Sequence, residues 1–379
     1  MNEDFLLMIP GPIPVHPRVF RAMSMKIMPH RGDEFNKLFL EQSERMKKIF
    51  KTNGDVFILA GSGTAAMDAA IANIVQPGDK VLCITSGKFG ERFRDIVKAY
   101  KGQIIELKYE WGTPINTEDV KKTLEKDPSI KAVTMVHNET STGVRNPVSE
   151  IGKIVKNTNA LLVVDTISSL GGDNIEVDNW GVDLCASGSQ KCIGLPPGMS
   201  FISVSQKAWD VIDKTEGTCY YLNLKKYKNN KYKAPYTQPV SMAYGLKEAL
   251  NIIDEQGFEN WIKKHERIAK ATRESVKSIG LSLFPKDEKT CSNTVTSVKV
   301  PEGIDGQELV KLMREKYGII IAGGQDHLKG KIIRIGHMGS ITEKEIIVTL
   351  SCLQMALKDL GYATELPNII APVWKSLSK

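Results

Sequence analysis

Short apolar runs alternate with amphipathic stretches from residue 56 to about residue 205, and this alternation constrains the fold more than any other feature of the sequence. It is typical of strands joined by crossover helices in a mostly parallel sheet. Strands are predicted at residues 56–60, 81–85, 104–107, 132–136, 161–164, 184–186 and 200–204. Helices are predicted near residues 65–75, 90–101, 117–126 and 148–157. The sequence therefore predicts an α/β fold with a doubly wound sheet.

A different order of elements follows this region. Residues 239–279 are predicted to be helical with a break near Gln256-Gly257, followed by strand 294–300, helix 305–317, strands 319–321 and 331–335, and helix 342–359. A chain of 379 residues is also too long for one ordinary core. We therefore expect an N-terminal arm (residues 1–25), a large sheet domain (26–255) and a smaller α+β C-terminal domain (256–379).

The composition, with 41% apolar residues and a mean hydropathy of −0.20, is that of a globular protein. The sequence contains no run of eighteen apolar residues, so it predicts no membrane span. The acidic residues 1–4 do not resemble a signal peptide, and we therefore expect a cytoplasmic location. The cysteines lack metal-binding spacing and predict reduced core residues, with neither a disulfide framework nor a metal site. They are Cys83, Cys185, Cys192, Cys219, Cys291 and Cys352.

The net charge of +7 comes partly from residues 225–233, where lysines alternate with tyrosine and asparagine. A basic segment that contains aromatic residues can contact nucleic acid. A solvated loop is the favoured interpretation, because no nucleic-acid-binding module surrounds the segment. We expect neither a nucleic-acid nor a membrane partner.

Small and polar residues follow the predicted strands, where open parallel sheets bind their ligands. Ser62, Gly63 and Thr64 follow the first strand and begin a helix, whose N-terminus suits an anionic phosphate. A glycine-rich turn alone is weak evidence, because many such turns merely connect elements. Neither the P-loop pattern nor the dinucleotide-binding pattern is present.

Two charged residues lie at the ends of very apolar strands. Asp165 either caps the following turn or pairs with a protonated ring nitrogen of a cofactor, which makes that ring an electron sink. Lys191 lies among small and apolar residues, where a lysine is rare, although most lysines of this chain are expected to be solvated. A partly buried lysine has a lowered pKa and can condense with an aldehyde.

Phe89 and His137 also follow predicted strands, and each leaves two interpretations open. Phe89 is either a core residue or the ring on which a flat cofactor stacks. His137 is either structural or a second contact to such a ring. The loop after His137 adds hydroxyl groups at Thr140, Ser141 and Thr142.

Three segments together carry a resemblance. Gly-Ser-Gly-Thr at 61–64, Val-Asp-Thr-Ile-Ser-Ser-Leu-Gly-Gly at 164–172 and Ser-Gly-Ser-Gln-Lys at 187–191 before Pro-Pro-Gly resemble the class V aminotransferases of the alanine–glyoxylate and serine–pyruvate type. The likeness extends from Pro10-Gly11-Pro12 to Arg334-Ile335-Gly336, and the set is specific although no single segment is. It implies the type I fold of transferases that depend on pyridoxal 5′-phosphate (PLP).

The resemblance also implies roles for the residues that match the family motifs. Lys191 would hold the cofactor as a Schiff base, Asp165 would meet the pyridine nitrogen, and Phe89 would stack on the ring at a position that is often tryptophan in relatives. Four residues would hold the phosphate, namely Ser62, Gly63, Thr64 and Gln190. Thr140 would contact the hydroxyl side of the ring.

Arg334 would bind the substrate's α-carboxylate in a bidentate fork, although a strand arginine is more often a surface ion-pair partner. Family members are homodimers in which a tyrosine and a threonine reach the partner's phosphate. Thr237 fits the threonine, whereas Ala234 occupies the tyrosine's position between Tyr232 and Tyr236. We therefore expect a homodimer with active sites at the subunit interface, and the tyrosine remains unassigned.

The activity implied is ping-pong transfer of an amino group from alanine, serine or aspartate to glyoxylate, pyruvate or 2-oxoglutarate. A phosphoserine or aminophosphonate aminotransferase is an alternative. A cysteine desulfurase is a second alternative. Such enzymes have a histidine before the Schiff-base lysine and a reactive cysteine on a loop. In this chain Gln190 precedes Lys191, and Cys291 is the candidate for the loop cysteine. A non-catalytic scaffold subunit is a third, against which the intact Lys191, Asp165 and Arg334 argue.

His30 and Arg31 could face the distal end of a substrate. A structural ion pair with Asp33 or Glu34 is an equally simple interpretation of the same residues. The sequence does not choose between the two, and it does not identify the amino donor or acceptor.

Overall fold

The computed structural model describes residues 5–217, 219–230, 233–362 and 367–377. None of the helices in these ranges is both long enough and apolar enough to cross a bilayer. The elements up to residue 204 are, in chain order, β1 (Leu6–Leu7), α1 (Pro17–Met23), α2 (Asp33–Phe50), β2 (Asp55–Ala60), α3 (Gly63–Ala72), β3 (Lys80–Thr85), α4 (Lys88–Ala99), β4 (Gln103–Lys108), α5 (Thr117–Lys126), β5 (Ala132–Val136), β6 (Asn138–Glu139), β7 (Val144–Arg145), α6 (Val148–Val155), β8 (Leu161–Asp165), β9 (Leu184–Gly188) and β10 (Met199–Val204).

The remaining elements form two helical connections and a second, smaller sheet with its helices. They are α7 (Gln206–Ile212), α8 (Leu224–Asn229), α9 (Val240–Gln256), α10 (Phe258–Ser278), β11 (Val295–Lys299), α11 (Gly306–Glu315), β12 (Ile319–Ile320), β13 (Ala322–Gly323), β14 (Ile332–Gly336), α12 (Glu343–Asp359) and α13 (Ala371–Leu377).

The large sheet has seven strands in the order β2-β10-β9-β8-β5-β3-β4. The register makes β9, β8, β5, β3 and β4 parallel, and β10 is antiparallel to both β2 and β9. Six strands therefore end at the same edge of the sheet, and β10 runs against them. The predicted α/β fold with a mostly parallel sheet is confirmed.

Alternating side chains of each strand enter two different hydrophobic cores, one on each face of the sheet. In β2, for example, Val56 and Ile58 pack with α2, α5, α6 and α9, whereas Phe57 and Leu59 pack with α3, α4, α7 and α8. This burial on both faces explains why the strands are continuous apolar runs. The helices therefore cover both faces, as in other doubly wound sheets.

The predicted helical stretch after residue 239 is two helices that meet at one glycine. Gly257 has φ +79, a value that favours glycine, and it separates α9 from α10. Further along, β11, β14 and β13 form an antiparallel sheet that packs on α10, α11 and α12. The predicted order of strands and helices in this part agrees with these elements.

An N-terminal strand belongs to this smaller sheet region. β1 pairs in parallel with β12, Leu6 lying opposite Ile319, and Met8 is fully buried in the core formed by α10, α11 and α12. The backbone N–H of Gly336, at the end of β14, donates to O of Met8 at 2.7 Å. Residues 6–8 are thus packed against the C-terminal part of the chain.

Two lysines of the basic segment contact aromatic rings, and the cysteines, which all lie in the described ranges, form no disulfide. Nζ of Lys226 lies 3.3 Å from the ring centroid of Tyr220, and Nζ of Lys228 lies 4.0 Å from that of Trp209. All six cysteines are free thiols. Cys291, the loop candidate of the desulfurase alternative, is 6% exposed and forms a β-bridge with Val144.

Candidate active site

Five parallel strands of the large sheet bring predicted site residues to one edge, because parallel strands end at the same edge. The residues that follow β2, β3, β5, β8 and β9 include nearly all of the predicted cofactor ligands. They are Ser62, Gly63 and Thr64, then Phe89, then Thr140, then Asp165, and finally Gln190 and Lys191.

Lys191 lies in a turn that is held by the backbone and the side chain of Ser189. Ser189 N donates to O of Met199 at 3.0 Å, and the Ser189 hydroxyl donates to O of Pro196 at 2.7 Å. The side chain of Lys191 is 9% exposed, and this burial lowers its pKa to about 8. The amine is therefore unprotonated more often near neutral pH than that of an exposed lysine, and in that form it can act as a nucleophile.

The N-terminal segment meets this amine. Nζ of Lys191 donates to the backbone carbonyl oxygen of Pro10. Gly11 follows with φ +124, and a Cβ added there would lie 2.5 Å from Nζ of Lys191. Only glycine therefore leaves room for the amine at this point of the chain.

Asp165 is the last residue of β8 and is 3% exposed. Its pKa is raised to about 7, mainly by burial and further by the charge of Glu139, while the N–H of Ile167, at 2.7 Å from Oδ1, opposes the shift. The charges of Arg92 and Lys191 also lower its pKa. A carboxyl in this environment can share a proton with a basic ring nitrogen placed beside it.

The start of α3 forms a cradle suited to a phosphate. Ser62 is the N-cap residue, and the first N–H groups of a helix have no partner within it. Two glycines keep the cradle open, because a Cβ at Gly188 would lie 3.2 Å from Cα of Gly63. Oε1 of Gln190 is buried without a hydrogen-bond partner among the described residues. Helix N–H groups and a hydroxyl fit the phosphate of PLP, and Gln190, whose Oε1 makes no hydrogen bond in the described structure, can turn its amide to present the NH2 group as a further donor.

Phe89 lies in the first turn of α4, which follows β3, and its backbone is held by a buried carboxylate. Oε2 of Glu139 accepts from the N–H groups of Phe89 and Gly90 at 3.2 and 3.1 Å, and Oε1 accepts from the N–H of Ser141 at 3.2 Å. The Ser141 hydroxyl accepts from the N–H of Lys88 at 3.0 Å and donates to Glu139. Glu139 thus fixes the turn that presents the Phe89 ring.

Glu139 is fully buried, and this burial raises its pKa, while its hydrogen-bond donors oppose the shift. All of its hydrogen-bond partners are donors, so the carboxylate satisfies them and a protonated carboxyl would lack an acceptor. A Cβ at Gly87 would lie 2.3 Å from Cγ of Glu139, so the glycine makes the space for this side chain.

Arg334 projects from β14 of the smaller sheet toward the large sheet. Its Nε and Nη2 donate to O of Gly323 at 2.9 and 2.8 Å, and Nη1 donates to O of Thr140 at 3.0 Å. Arg334 is buried, which lowers its pKa to about 10, while the charge of Glu139 opposes the shift, and it forms no ion pair within 4 Å in the described ranges. A buried guanidinium without a counter-ion is suited to a substrate carboxylate.

Thr140 and His137 both lie after β5, but of the two only Thr140 forms a hydrogen bond, within the described structure, with the turn that follows Asp165. The Thr140 hydroxyl donates to Oγ of Ser168 at 2.7 Å, beside the turn that follows Asp165. His137 packs on Trp180 with ring centroids 5.5 Å apart, and burial lowers its pKa to about 4. This environment favours the structural interpretation of His137.

Thr237 is separated from the other predicted ligands within this chain. It is exposed, and its hydroxyl lies 3.4 Å from Nε2 of His30, so it makes no hydrogen bond with them in the described residues. The Tyr236 hydroxyl donates to O of Tyr220 at 2.8 Å, and Tyr232 lies outside the described residues. A role for Thr237 toward a partner subunit stays a prediction.

Arg31 is exposed, and it lies within 4 Å of neither the Asp33 nor the Glu34 carboxylate in the described structure. The ion pair considered from the sequence is therefore not formed. His30 is half-buried and contacts Thr237. The two residues lie beside the segment that the resemblance places at a subunit interface.

Three groups of the site were not identified from the sequence: Glu139, Arg92 and the carbonyl of Pro10. Glu139 follows an apolar strand, as Asp165 does, and that signal could have found it. Arg92 lies three residues after Phe89, on the same face of α4. Pro10 gave no local signal, because its contact with Lys191 depends on the pairing of β1 with β12.

Known proteins are similar to this chain in sequence and in fold. A family model described as aminotransferase class V matches residues 19–346. An uncharacterized aminotransferase of Methanocaldococcus jannaschii is 52% identical over 361 residues, which cover 94% of each chain. The serine–glyoxylate aminotransferase of Arabidopsis thaliana is 35% identical over 374 residues, 96% of this chain and 93% of the relative.

The solved structure of a ureidoglycine–glyoxylate aminotransferase from Bacillus subtilis matches with a TM-score of 0.95 at 30% identity. The match covers 100% of this chain and 99% of that chain. The resemblance inferred from the sequence motifs is confirmed. The chain belongs to the class V aminotransferases, which are PLP-dependent transaminases.

Proposed function

We propose that this enzyme transfers the amino group of a small amino acid, of the alanine, serine or aspartate class, to a small 2-oxo acid such as glyoxylate, pyruvate or 2-oxoglutarate. The observation that carries the proposal is the pairing of a buried amine with a buried, unpaired guanidinium. Arg334 lies close enough to Lys191 for its charge to lower the pKa of the lysine. An α-amino acid carries the two groups that such a pair receives, an amine and a carboxylate.

PLP, when bound, supplies an aldehyde that condenses with amines and a ring that accepts electrons. Lys191 is the amine placed to hold it and, once released, to move a proton at the substrate's Cα. The carbonyl of Pro10 accepts a hydrogen bond from that amine and so gives it a fixed position. Asp165 would share a proton with the ring nitrogen, and the start of α3 with Gln190 would hold the phosphate.

Arg334 is the residue proposed to hold the substrate carboxylate. Two of its nitrogens are oriented by O of Gly323 and one by O of Thr140, so its plane is fixed before substrate arrives. Such preorganisation lowers the cost of orienting the substrate for proton transfer. A mobile surface arginine would have to be ordered on each turnover.

A small donor side chain is supported by the crowding near the lysine. Gly11 and O of Pro10 lie directly against Nζ of Lys191. The Arabidopsis thaliana relative is named for serine and glyoxylate, and the Bacillus subtilis structure for ureidoglycine and glyoxylate. A matrix of amino donors against 2-oxo acid acceptors, including phosphoserine and cysteine, tests this choice. Fast turnover of phosphoserine, or sulfide release from cysteine, would replace it.

Replacement of Lys191 by alanine tests the reaction itself. We expect the purified Lys191→Ala protein to lose transamination by at least roughly 10³-fold, together with the visible absorbance of the covalently held cofactor. Lys264→Ala is the control and should keep the absorbance, because Lys264 is half-buried and also has a pKa lowered to about 8, but it donates to O of Gly339. Activity and absorbance retained in Lys191→Ala would remove the proposal.

We also propose a homodimer in which Thr237 reaches the partner's phosphate, and a cytoplasmic enzyme. The dimer is supported by the exposed position of Thr237 beside His30, away from the cradle of its own chain. Light scattering of the purified protein, with Thr237→Ala compared for PLP affinity, tests the assembly and the residue together. A monomer with full activity would contradict it.

A further inference from the structure

Arg92 is a cation at the edge of the proposed phosphate cradle. It lies in α4, three residues after Phe89, and its guanidinium carbon is 4.8 Å from the centroid of the Phe89 ring. Its Nη1 donates to the hydroxyl oxygen of Thr64, at the start of α3, at 3.3 Å. One side chain thus contacts both the predicted stacking ring and a predicted phosphate ligand.

No carboxylate neutralises Arg92 within 4 Å in the described part of the chain. Asp95, on the next turn of α4, pairs instead with Arg94 at 2.9 Å, and Glu106 pairs with Arg94 at 3.0 Å. Arg92 is half-buried, which makes a missing counter-ion more costly than at the surface. An anion at the start of α3 would supply the missing charge.

In the hydrogen bond between Arg92 and Thr64, the arginine is the donor. The hydroxyl oxygen accepts from the guanidinium, so the hydroxyl proton is free to be donated elsewhere. The nearest helix N–H groups also donate and do not accept. The hydroxyl proton, the N–H groups and the guanidinium therefore all favour the same negative ligand.

We propose that Arg92 is a phosphate-binding residue of this enzyme, which orients the Thr64 hydroxyl and stacks on Phe89 while its charge holds the cofactor's phosphate. The inference rests on the proposed function, because it assumes that PLP binds at this edge of the sheet. Arg92 also lowers the pKa values of Asp165 and Lys191, which places it within electrostatic reach of both. A lysine there would keep the charge but lose the planar stack.

The test compares PLP with pyridoxal, which lacks the phosphate, in binding to the apoenzyme. We expect Arg92→Gln to weaken PLP binding by roughly 10- to 100-fold, the range for loss of a charge-assisted hydrogen bond, and to change pyridoxal binding less than about twofold. Arg92→Lys should lie between Arg92→Gln and wild type. Arg94→Gln, on the same helix but paired with Asp95 and Glu106, should bind both compounds as the wild type does.

Inorganic phosphate gives a second measurement. In the wild type and Arg94→Gln it should compete with PLP, and in Arg92→Gln its inhibition constant should rise at least roughly tenfold. Unchanged PLP affinity in Arg92→Gln would overturn the proposal. An equal loss of affinity for PLP and pyridoxal would also overturn it, because Arg92 would then only support the Phe89 ring. A wild-type protein that binds neither compound would instead refute the proposed function itself.

Discussion

Two carboxylates follow neighbouring strands of this sheet, and their hydrogen bonds give them different tasks. Asp165 accepts one backbone N–H, so most of its bonding capacity remains for a ligand. Glu139 accepts from three backbone N–H groups and one hydroxyl, which leaves little for a ligand. Both are carboxylates near the end of an apolar strand, and their hydrogen-bond partners distinguish the group proposed to meet the cofactor from the group that positions a turn.

Replacement of Glu139 by glutamine tests this positioning role. The amide nitrogen would face N–H donors, so we expect a stability loss of about 1–3 kcal/mol and weaker PLP binding, because the Phe89 turn shifts. Asp183→Asn is the matched control, since Asp183 is a buried carboxylate that accepts from Leu162 N at 2.9 Å, away from the site.

Thermal melts and PLP titrations of the two variants separate the cases. Both should melt earlier than the wild type, and only Glu139→Gln should lose cofactor affinity. Equal PLP affinities in Glu139→Gln and the wild type would show that Glu139 stabilises the fold without positioning the site.

At the scale of elements, helix α10 fixes the turn that follows β14. His265 Nε2 accepts from the N–H of Gly339 at 2.9 Å, and Nζ of Lys264 donates to O of Gly339 at 2.6 Å. Since the N–H can only donate, Nε2 is unprotonated, and Nδ1 carries the proton toward O of Trp261 at 2.7 Å. The histidine is therefore a neutral bridge between α10 and the end of the strand that bears Arg334.

Burial is the main reason that the pKa of His265 falls to about 3, well below the 6.5 of a free histidine. Below pH 6.5 the unfolded chain binds a proton that the folded chain does not, so the contribution of His265 falls as pH falls. We expect His265→Gln to be less stable than wild type at pH 7, and this difference to shrink by about 2 kcal/mol at pH 5.

Urea unfolding at the two pH values measures that difference. Thr272→Val is a suitable control, because Thr272 lies on the same helix, is buried and has no titrating group. Its stability difference from wild type should not change with pH. A constant difference for His265→Gln would mean that the histidine is not held neutral.

For the whole molecule, the junction of the two sheets depends on the N-terminal segment. It pairs with β12, accepts a hydrogen bond from the end of β14, and brings O of Pro10 to Lys191 in the large sheet. One stretch of backbone thus contacts both the residue proposed to hold the cofactor and the strand of Arg334. Movement between the two sheets would act on the lysine amine through this segment.

Two glycines of the smaller sheet test that junction. A Cβ at Gly336 would lie 2.1 Å from O of Ile9, whereas a Cβ at Gly323 would meet nothing closer than 3.9 Å. We expect Gly336→Ala to lower the melting temperature by about 5 °C or more and to reduce turnover, because it displaces the segment that positions Lys191. Gly323→Ala should change neither, and a normal Gly336→Ala enzyme would show that the segment is dispensable.

The sequence allowed prediction of most strands and of the convergence of their ends, because burial on both faces leaves apolar runs that periodicity detects. It did not allow prediction of the antiparallel direction of β10, since a buried strand has the same composition in either direction. It also missed α2, whose residues 33–50 begin beside the turn at His30-Arg31. Contacts such as Lys191 with Pro10 depend on pairing distant in sequence, which no local pattern encodes.

The pairing of Leu6 with Ile319 has a consequence for biosynthesis. During translation residues 6–8 emerge long before β12 and β14, so their pairing partners do not yet exist and Met8 has no core to enter. The large sheet can form first, because its strands all lie between residues 55 and 204. Lys191, the residue proposed to hold the cofactor, therefore acquires its carbonyl neighbour late, after the strands of the large sheet have all been synthesised.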